Sequence, residues 1–392
     1  MSLKVFPNTK RTDANPMYNS EPHFVYLNRS PRSEEAIVRN LIEDWISYYP
    51  ETEKSDIIPR LRSDDDTQFL SAFFELYVFT LLRHLGYEIQ THPDLEMADG
   101  KKPDFLVSKA CGQESVVEVV WVTDKSEGAM AADKRANIVY DALNKLECLD
   151  FFLSVHIQGA PTTPPPGKKL MAQLKQWLPT LDYEKVLKQF ETGGFDDVPK
   201  LNFSHEGWDI TFSPVPKQEE YRGTATVRPL GIYFQEARRV DTKTPIRDAV
   251  IKKGGRYGKL DKPYVIALNA EMFHFTDDSV LQSLFGTESW VIPDHRNPIL
   301  KPYMKRNPDG AWTTPSGPRY TRVSAVLIGR SINPWSVALR DLRLFHNPYA
   351  KLPYSGALCA LPQAGPKEDR IVFHSGLHAR DILCLPEGWP GN

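Results

Sequence analysis

Glu118 sits in the run Val116-Val117-Glu118-Val119-Val120-Trp121-Val122. A stretch this apolar reads as a strand buried on both faces. A carboxylate in such a place is costly unless it is paired, protonated or bound to a metal. Asp104 is the natural partner. It follows Pro103 and opens the apolar run Phe105-Leu106-Val107. If the two runs pair antiparallel around the turn at Cys111-Gly112, both carboxylates lie on one side of the sheet. Two close carboxylates repel each other, and a divalent cation resolves that repulsion. Mg²⁺ suits such a site because it binds through one or two carboxylates and keeps several waters; Mn²⁺ is the other expected cation. Glu75 lies at the margin of an apolar helical stripe and is a candidate third member.

These residues resemble the PD-(D/E)XK, or restriction-endonuclease-like, superfamily. Glu75 stands in Phe73-Phe74-Glu75-Leu76, Pro103-Asp104 follows, and then Glu118-Val119-Val120. The resemblance spans residues 70–157. It implies that Asp104 and Glu118 are metal ligands and that Glu75, if it is not simply an exposed flank residue, is an accessory ligand or positioning residue of the catalytic group. It also implies hydrolysis of phosphodiester bonds in DNA or RNA. The family's lysine belongs at position 120, two residues beyond Glu118 and on the same strand face. Valine occupies that position here. Some members of the family supply the lysine from the next helix, which makes Lys134 the candidate catalytic cation, with Lys125 in the preceding loop as a second choice. If neither reaches the carboxylates, the resemblance implies an inactive nuclease-like protein that binds nucleic acid or a protein partner.

Two other regions carry cations. Between Arg238 and Lys262 there are nine basic and three acidic residues, a balance of 9 − 3 = +6. Arg247, Lys252, Lys253 and Arg256 lie there on a helix expected over 245–258 and could line a nucleic-acid groove. Cations neutralise phosphates and aromatic rings stack on unpaired bases. Lys301-Pro302-Tyr303-Met304-Lys305-Arg306, followed by Trp312, Arg319, Tyr320 and Arg322, interleaves both types, so Lys305 and Arg306 are further candidates for nucleic-acid contact. The acidic counterpart is residues 33–66, with a balance of 4 − 10 = −6. Gly254-Gly255-Arg256-Tyr257-Gly258 lacks the Gly-Lys-Ser/Thr ending of a phosphate loop and reads as a helix end. His374 and His378 have the spacing of helical zinc ligands, but Ser375 and Gly376 between them disfavour a helix.

The elements that must position the acids are legible in outline. Leu70, Phe73, Phe74, Tyr77, Val78, Leu81, Leu82 and Leu85 recur at the spacing of one buried helical face. Asp65, Asp66 and Thr67 start that helix and Gly86 ends it. An earlier helix is expected from Ser33, with Ser33 as its N-cap. Strands are expected at 87–92, 104–108 and 116–122, then a helix at 131–146 and a strand at 152–157. After the stiff Pro-containing segment 160–167 come helices at 168–178 and 182–190, and strands at 208–212 and 227–234. Further strands are expected at 263–268, 323–328 and 342–345.

We therefore expect an α/β protein whose restriction-endonuclease-like core (helix, three strands, helix, strand) carries a C-terminal α/β extension. Four regions follow: an irregular arm at 1–32, the core at 33–160, a Pro-rich connector with a helical insertion at 161–225, and an α/β region at 226–392. Asn333-Pro334-Trp335 and His346-Asn347-Pro348-Tyr349-Ala350 look similar to segments of uncharacterised bacterial proteins, which brings no activity. The four cysteines form no close pair, which argues against a disulfide framework or a zinc knuckle. No apolar run approaches the roughly 20 residues needed to cross a bilayer, and residues 1–32 lack the apolar stretch of a secretion signal. The expectation is a cytoplasmic protein without a membrane partner, with nucleic acid as its partner and a second copy of the chain as another candidate.

Overall fold

The computed structural model describes residues 4–95, 100–109, 112, 114–223, 229–235, 241–272, 275–293, 301–368 and 370–391. A turn is also expected at Ala98-Asp99-Gly100; its positions 98–99, Cys111 of the next turn, and 227–228 of one expected strand lie outside the described residues. The fold is mixed α/β. The chain divides into two compact units, one formed by 1–15, 22–124 and 240–392, the other by 16–21 and 125–239.

The first unit opens with four helices, α1 (His23–Arg29), α2 (Ser33–Ser47), α3 (Lys54–Leu61) and α4 (Asp66–His84), followed by strands β1 (Glu88–Thr91), β2 (Phe105–Ser108) and β3 (Ser115–Thr123). The second unit contributes α5 (Glu127–Leu143), β4 (Phe151–Gln158), α6 (Gly167–Trp177), α7 (Tyr183–Gly193), β5 (Leu201–His205), β6 (Trp208–Pro216) and β7 (Leu230–Gln235). The chain then returns to the first unit with α8 (Lys243–Gly254), β8 (Tyr264–Glu271), α9 (Asp277–Phe285), β9 (Glu288–Val291) and β10 (Tyr303–Arg306). Two short strands, β11 (Thr313–Thr314) and β12 (Gly317–Pro318), precede β13 (Val323–Arg330), β14 (Leu342–His346), β15 (Gln363–Lys367), β16 (Arg370–His374) and α10 (Ala379–Ile382).

The boundaries of α4 follow from its sequence. The Asp65 side chain accepts from the Thr67 amide at 3.1 Å, so a carboxylate caps the N-terminus. At the other end Gly86 adopts φ 79°, a left-handed conformation that costs glycine little. The Tyr87 amide reaches back to the Leu82 carbonyl at 3.1 Å, closing the last turn. In α2 the helix starts at Ser33 itself, and Arg32 in extended backbone is the cap residue, so Ser33 is not the N-cap.

The large sheet runs β1-β2-β3-β8-β13-β14-β15-β16. The β1/β2 and β2/β3 pairs are antiparallel, whereas β3/β8 and β8/β13 are parallel. Side chains alternate between two cores. Phe105, Val117, Val265, Ala267, Ala325 and Leu327 pack with Phe73, Leu76, Tyr77 and Leu81 of α4. Val116, Ile266, Leu268, Val326 and Ile328 pack with Ile246 and Val250 of α8 and Val280 and Leu284 of α9. Helices thus cover both faces of a sheet whose central strands are almost wholly apolar, the arrangement such strands require.

This topology corrects the expected core. The helix near 131–146 and the strand at 152–157 do form, as α5 and β4, but they belong to the second unit. There β4 is the third strand of a separate sheet, β5-β6-β4-β7, paired with β6 and β7. The elements that follow β3 in its own sheet are α8 and β8, after an excursion of the chain through residues 125–239. The four expected regions therefore give way to two units, each discontinuous in sequence. Segment 16–21 joins the second unit because the Asn19 and Ser20 amides donate to the Asp141 carboxylate at 2.6 and 2.8 Å. Residues 1–32 are not wholly irregular, since 23–29 form α1.

Candidate functional site

The register of β2 with β3 pairs Phe105 with Val117. Asp104 precedes Phe105, and its Oδ2 accepts from the Val119 amide at 2.6 Å. The two acids selected from the sequence are therefore neighbours across one antiparallel pair. Glu118 is two residues from Val116, shares its face, and so points toward α8. It has no solvent exposure.

Three side chains from the end of α8 and the loop after it close on that carboxylate. Lys253 Nζ lies 2.5 Å from Glu118 Oε1, and an Arg256 guanidinium nitrogen lies 2.8 Å from the same oxygen. The Tyr257 hydroxyl donates to Oε2. Several contacts hold the loop in place. The buried Tyr264 hydroxyl donates to the Lys253 carbonyl at 3.1 Å, and Arg322 donates to the Tyr257 and Gly258 carbonyls. Gly254 allows the approach: a Cβ there would stand 3.1 Å from Val323 Cγ2 and 3.2 Å from the Tyr320 ring.

Glu75 is buried on α4 on the opposite face of the sheet. The Tyr49 hydroxyl donates to its Oε1 at 2.8 Å, and Arg60 lies 2.8 Å from its Oε2. Burial alone would pull the Arg60 guanidinium down, but the Glu75 carboxylate outweighs it and holds the pKa above the usual value. Arg256 shows the same balance of burial against Glu118. Burial, reinforced by Glu75, raises the Tyr49 hydroxyl, and burial reinforced by Glu118 raises Tyr257.

Asp104 is the exception in this group. It accepts one backbone amide, and Oδ1 has no hydrogen-bond partner among the described residues. Burial pushes its carboxyl up to about 7, and the negative charges of Glu118 and Glu75 push in the same direction. The Val119 amide and Lys253 offset this only in part.

Of these residues Asp104 is the one that could hold a hard cation through a protein oxygen. Asp104 offers an open carboxylate oxygen in a locally anionic setting. Glu118 is its neighbour, with both oxygens already engaged. Glu75 does not join them: among the described residues no three His, Cys, Asp or Glu side chains converge closely enough to hold an ion. The one carboxylate oxygen of the Asp104–Glu118 pair that is not hydrogen-bonded among the described residues is therefore Asp104 Oδ1, since Lys253, Arg256 and Tyr257 occupy both oxygens of Glu118.

Lys134 lies on α5 in the second unit, and Lys125 forms an ion pair with Asp133 at 2.7 Å in that unit. The cation beside Glu118 comes instead from α8 of the first unit, as Lys253. The sequence placed Lys253 and Arg256 among nucleic-acid-binding residues, and the fold turns both onto the buried glutamate. Of the same group, Arg247 pairs with Asp248 at 3.1 Å, and Lys252 is exposed.

Lys305 is exposed on β10, and Arg306 pairs with Glu288 across the β9–β10 ribbon. That ribbon also exposes Trp290, Tyr303 and Met304. The remaining basic and aromatic residues of that region serve the fold: Trp312 is buried, and Arg319 donates to the Gly310 and Ala311 carbonyls at 2.7 and 3.0 Å. The described cysteines, Cys148, Cys359 and Cys384, are free thiols. Among the described residues no helix is long and apolar enough to cross a membrane.

No protein-family model, no curated protein and no solved structure matches this chain.

Proposed function

We propose that this protein is a divalent-metal-dependent nuclease with a divergent restriction-endonuclease-like core, in which Lys253 replaces the lysine absent at position 120. The observation that carries the reading is Lys253 Nζ at 2.5 Å from Glu118 Oε1. The element order supports it as well. Helix α4, strands β1 to β3, helix α8 and strand β8 reproduce helix, three strands, helix, strand once the inserted second unit is set aside.

In this reading Asp104, with Glu118 beside it, holds Mg²⁺ or Mn²⁺. The ion supplies Lewis-acid polarisation of a phosphate oxygen and a lower pKa for attacking water. The protein's residues do the rest. Glu118 fixes the Lys253 ammonium by a charge-assisted hydrogen bond, and Tyr257 and Arg256 fix Glu118 in turn. An ammonium held in this way is placed to stabilise the charge that develops on a phosphodiester under attack. Glu75, held by Tyr49 and Arg60, keeps negative charge near Asp104 and favours cation uptake there. Lys252 and Lys305, both exposed, are available to phosphates along DNA or RNA.

One observation favours a second reading. Both oxygens of Glu118 are already satisfied by this chain. That suits a non-catalytic role in which Glu118 anchors the end of α8 and the protein binds nucleic acid or a protein partner. Cleavage of DNA and RNA in Mg²⁺ or Mn²⁺ separates the two. The nuclease reading expects activity that Asp104→Ala and Glu118→Ala abolish and that Lys253→Met lowers by at least about 100-fold. Undiminished cleavage in both carboxylate variants would remove this centre from the chemistry. Binding of nucleic acid without cleavage would favour the second reading.

A further inference from the structure

A polar cleft lies elsewhere in the first unit, at the ends of β13, β14 and β16. Its volume is about 550 Å³, within the size range of small-molecule sites. Three arginines line it: Arg330 at the end of β13, Arg340 just before β14, and Arg343 within β14. Asp277 at the start of α9 bridges two of them. Arg330 donates to its Oδ1, and Arg343 donates to Oδ2 at 2.7 Å. Asp277 therefore fixes two guanidinium planes in one place while offsetting only part of their charge. Arg340 has no ion pair among the described residues. Arg343 Nε is buried and has no hydrogen-bond partner among the described residues, so the guanidinium is not fully satisfied by Asp277.

The wall beside the arginines is apolar and open. Phe373 is 42% exposed and Leu339 is 61% exposed. The Arg343 guanidinium lies over the Phe373 ring at 4.9 Å, so cation and ring form one continuous surface. Guanidinium groups in fixed planes match the oxygens of a phosphate, and an exposed ring matches the flat face of a base. Two carboxylates also line the cleft: Asp277 is held by the two arginines, and Asp341 lies 2.9 Å from His378 Nδ1.

We propose that this cleft binds a nucleoside monophosphate, with its phosphate on Arg340 and Arg343 and its base against Phe373. The proposal is independent of the chemistry at Asp104 and Glu118. Calorimetric titration of the full chain with adenosine 5′-monophosphate, adenosine and inorganic phosphate tests it, with Arg340→Ala and Phe373→Ala as variants whose thermal transitions are checked for an intact fold. The expected result is saturable binding of the monophosphate, about tenfold weaker in Arg340→Ala. Adenosine should bind weakly, and Phe373→Ala should weaken the monophosphate without changing inorganic phosphate. Absence of binding, or binding unchanged in both variants, would overturn the proposal. Inorganic phosphate binding as tightly as the nucleotide, with no effect of Phe373→Ala, would overturn the nucleotide assignment. Binding lost in Asp104→Asn but not in Arg340→Ala would move the nucleotide to the other centre.

Discussion

Glu75 and Glu118 are built alike on opposite faces of one sheet. Each is a buried glutamate with a tyrosine hydroxyl on one oxygen and an arginine on the other. Glu118 has Lys253 in addition. Asp104 has neither arginine nor tyrosine, and both glutamates press their charge upon it. Two acids are paired with cations of the fold and the third is not. In the proposed reading this difference makes Asp104 the position where an external cation gains most. It also separates Glu118, which carries a surplus ammonium, from Glu75, which does not.

The largest expected effect breaks this comparison at Glu118. Glu118→Ala would leave Lys253 and Arg256 facing each other without an anion, costing about 3–5 kcal/mol of stability. Urea unfolding measures it. Glu75→Ala strands a single cation, Arg60, which keeps Asp56 as a second partner at 3.1 Å, and should cost less, about 1–3 kcal/mol. Equal costs would contradict the asymmetry.

Next comes the approach of α8 itself. Gly254→Val would press a branched side chain into Val323 and the Tyr320 ring, so we expect about 1–3 kcal/mol of destabilisation. Any nuclease activity should fall with it, because Lys253 and Arg256 would be displaced from Glu118.

The pH dependence sharpens the position of Asp104. Its carboxyl is pushed up to about 7 in the folded protein, against about 3.9 for an unperturbed Asp in an unfolded chain. Between these values the folded state holds a proton that the unfolded chain has released. Without divalent cations, stability should therefore fall as pH rises from about 4 to 7 and level off above. Asp104→Asn should flatten that dependence, and urea midpoints across the range would show it. An unchanged slope in Asp104→Asn would assign the titration elsewhere. The smallest structural effect is expected at Lys305→Glu, exposed on β10. Stability should stay within about 0.5 kcal/mol, while affinity for DNA or RNA drops in a filter-binding assay.

Much of the site's first half was readable from local pattern. The stripe from Leu70 to Leu85 gave α4, and Asp65 and Gly86 gave its ends. Glu118 stood out because a charged residue interrupts an apolar run, and Pro103-Asp104 opened the adjacent strand. The second half was hidden by distance. Lys253 and Glu118 are 135 residues apart, and nothing local in the sequence records which strand pairs with β3. The segment 127–158 offered a nearer helix and strand with the right periodicities, so it stood in for the true neighbours. One signal could have corrected this. The apolar run Tyr264-Val265-Ile266-Ala267-Leu268 is as thoroughly buried in character as β3, and such strands require neighbours on both sides. It follows directly on the most basic stretch of the chain, which carries Lys253 and Arg256.

The central claim is that Asp104 is the acid left for a divalent cation, beside a glutamate already tied to Lys253. Titration of the full chain with Mn²⁺, followed by electron paramagnetic resonance of the free ion, tests this without reference to activity. We expect saturable Mn²⁺ binding that Asp104→Asn abolishes and that Glu75→Gln weakens only modestly. No bound Mn²⁺, or binding indifferent to Asp104→Asn, would contradict the account.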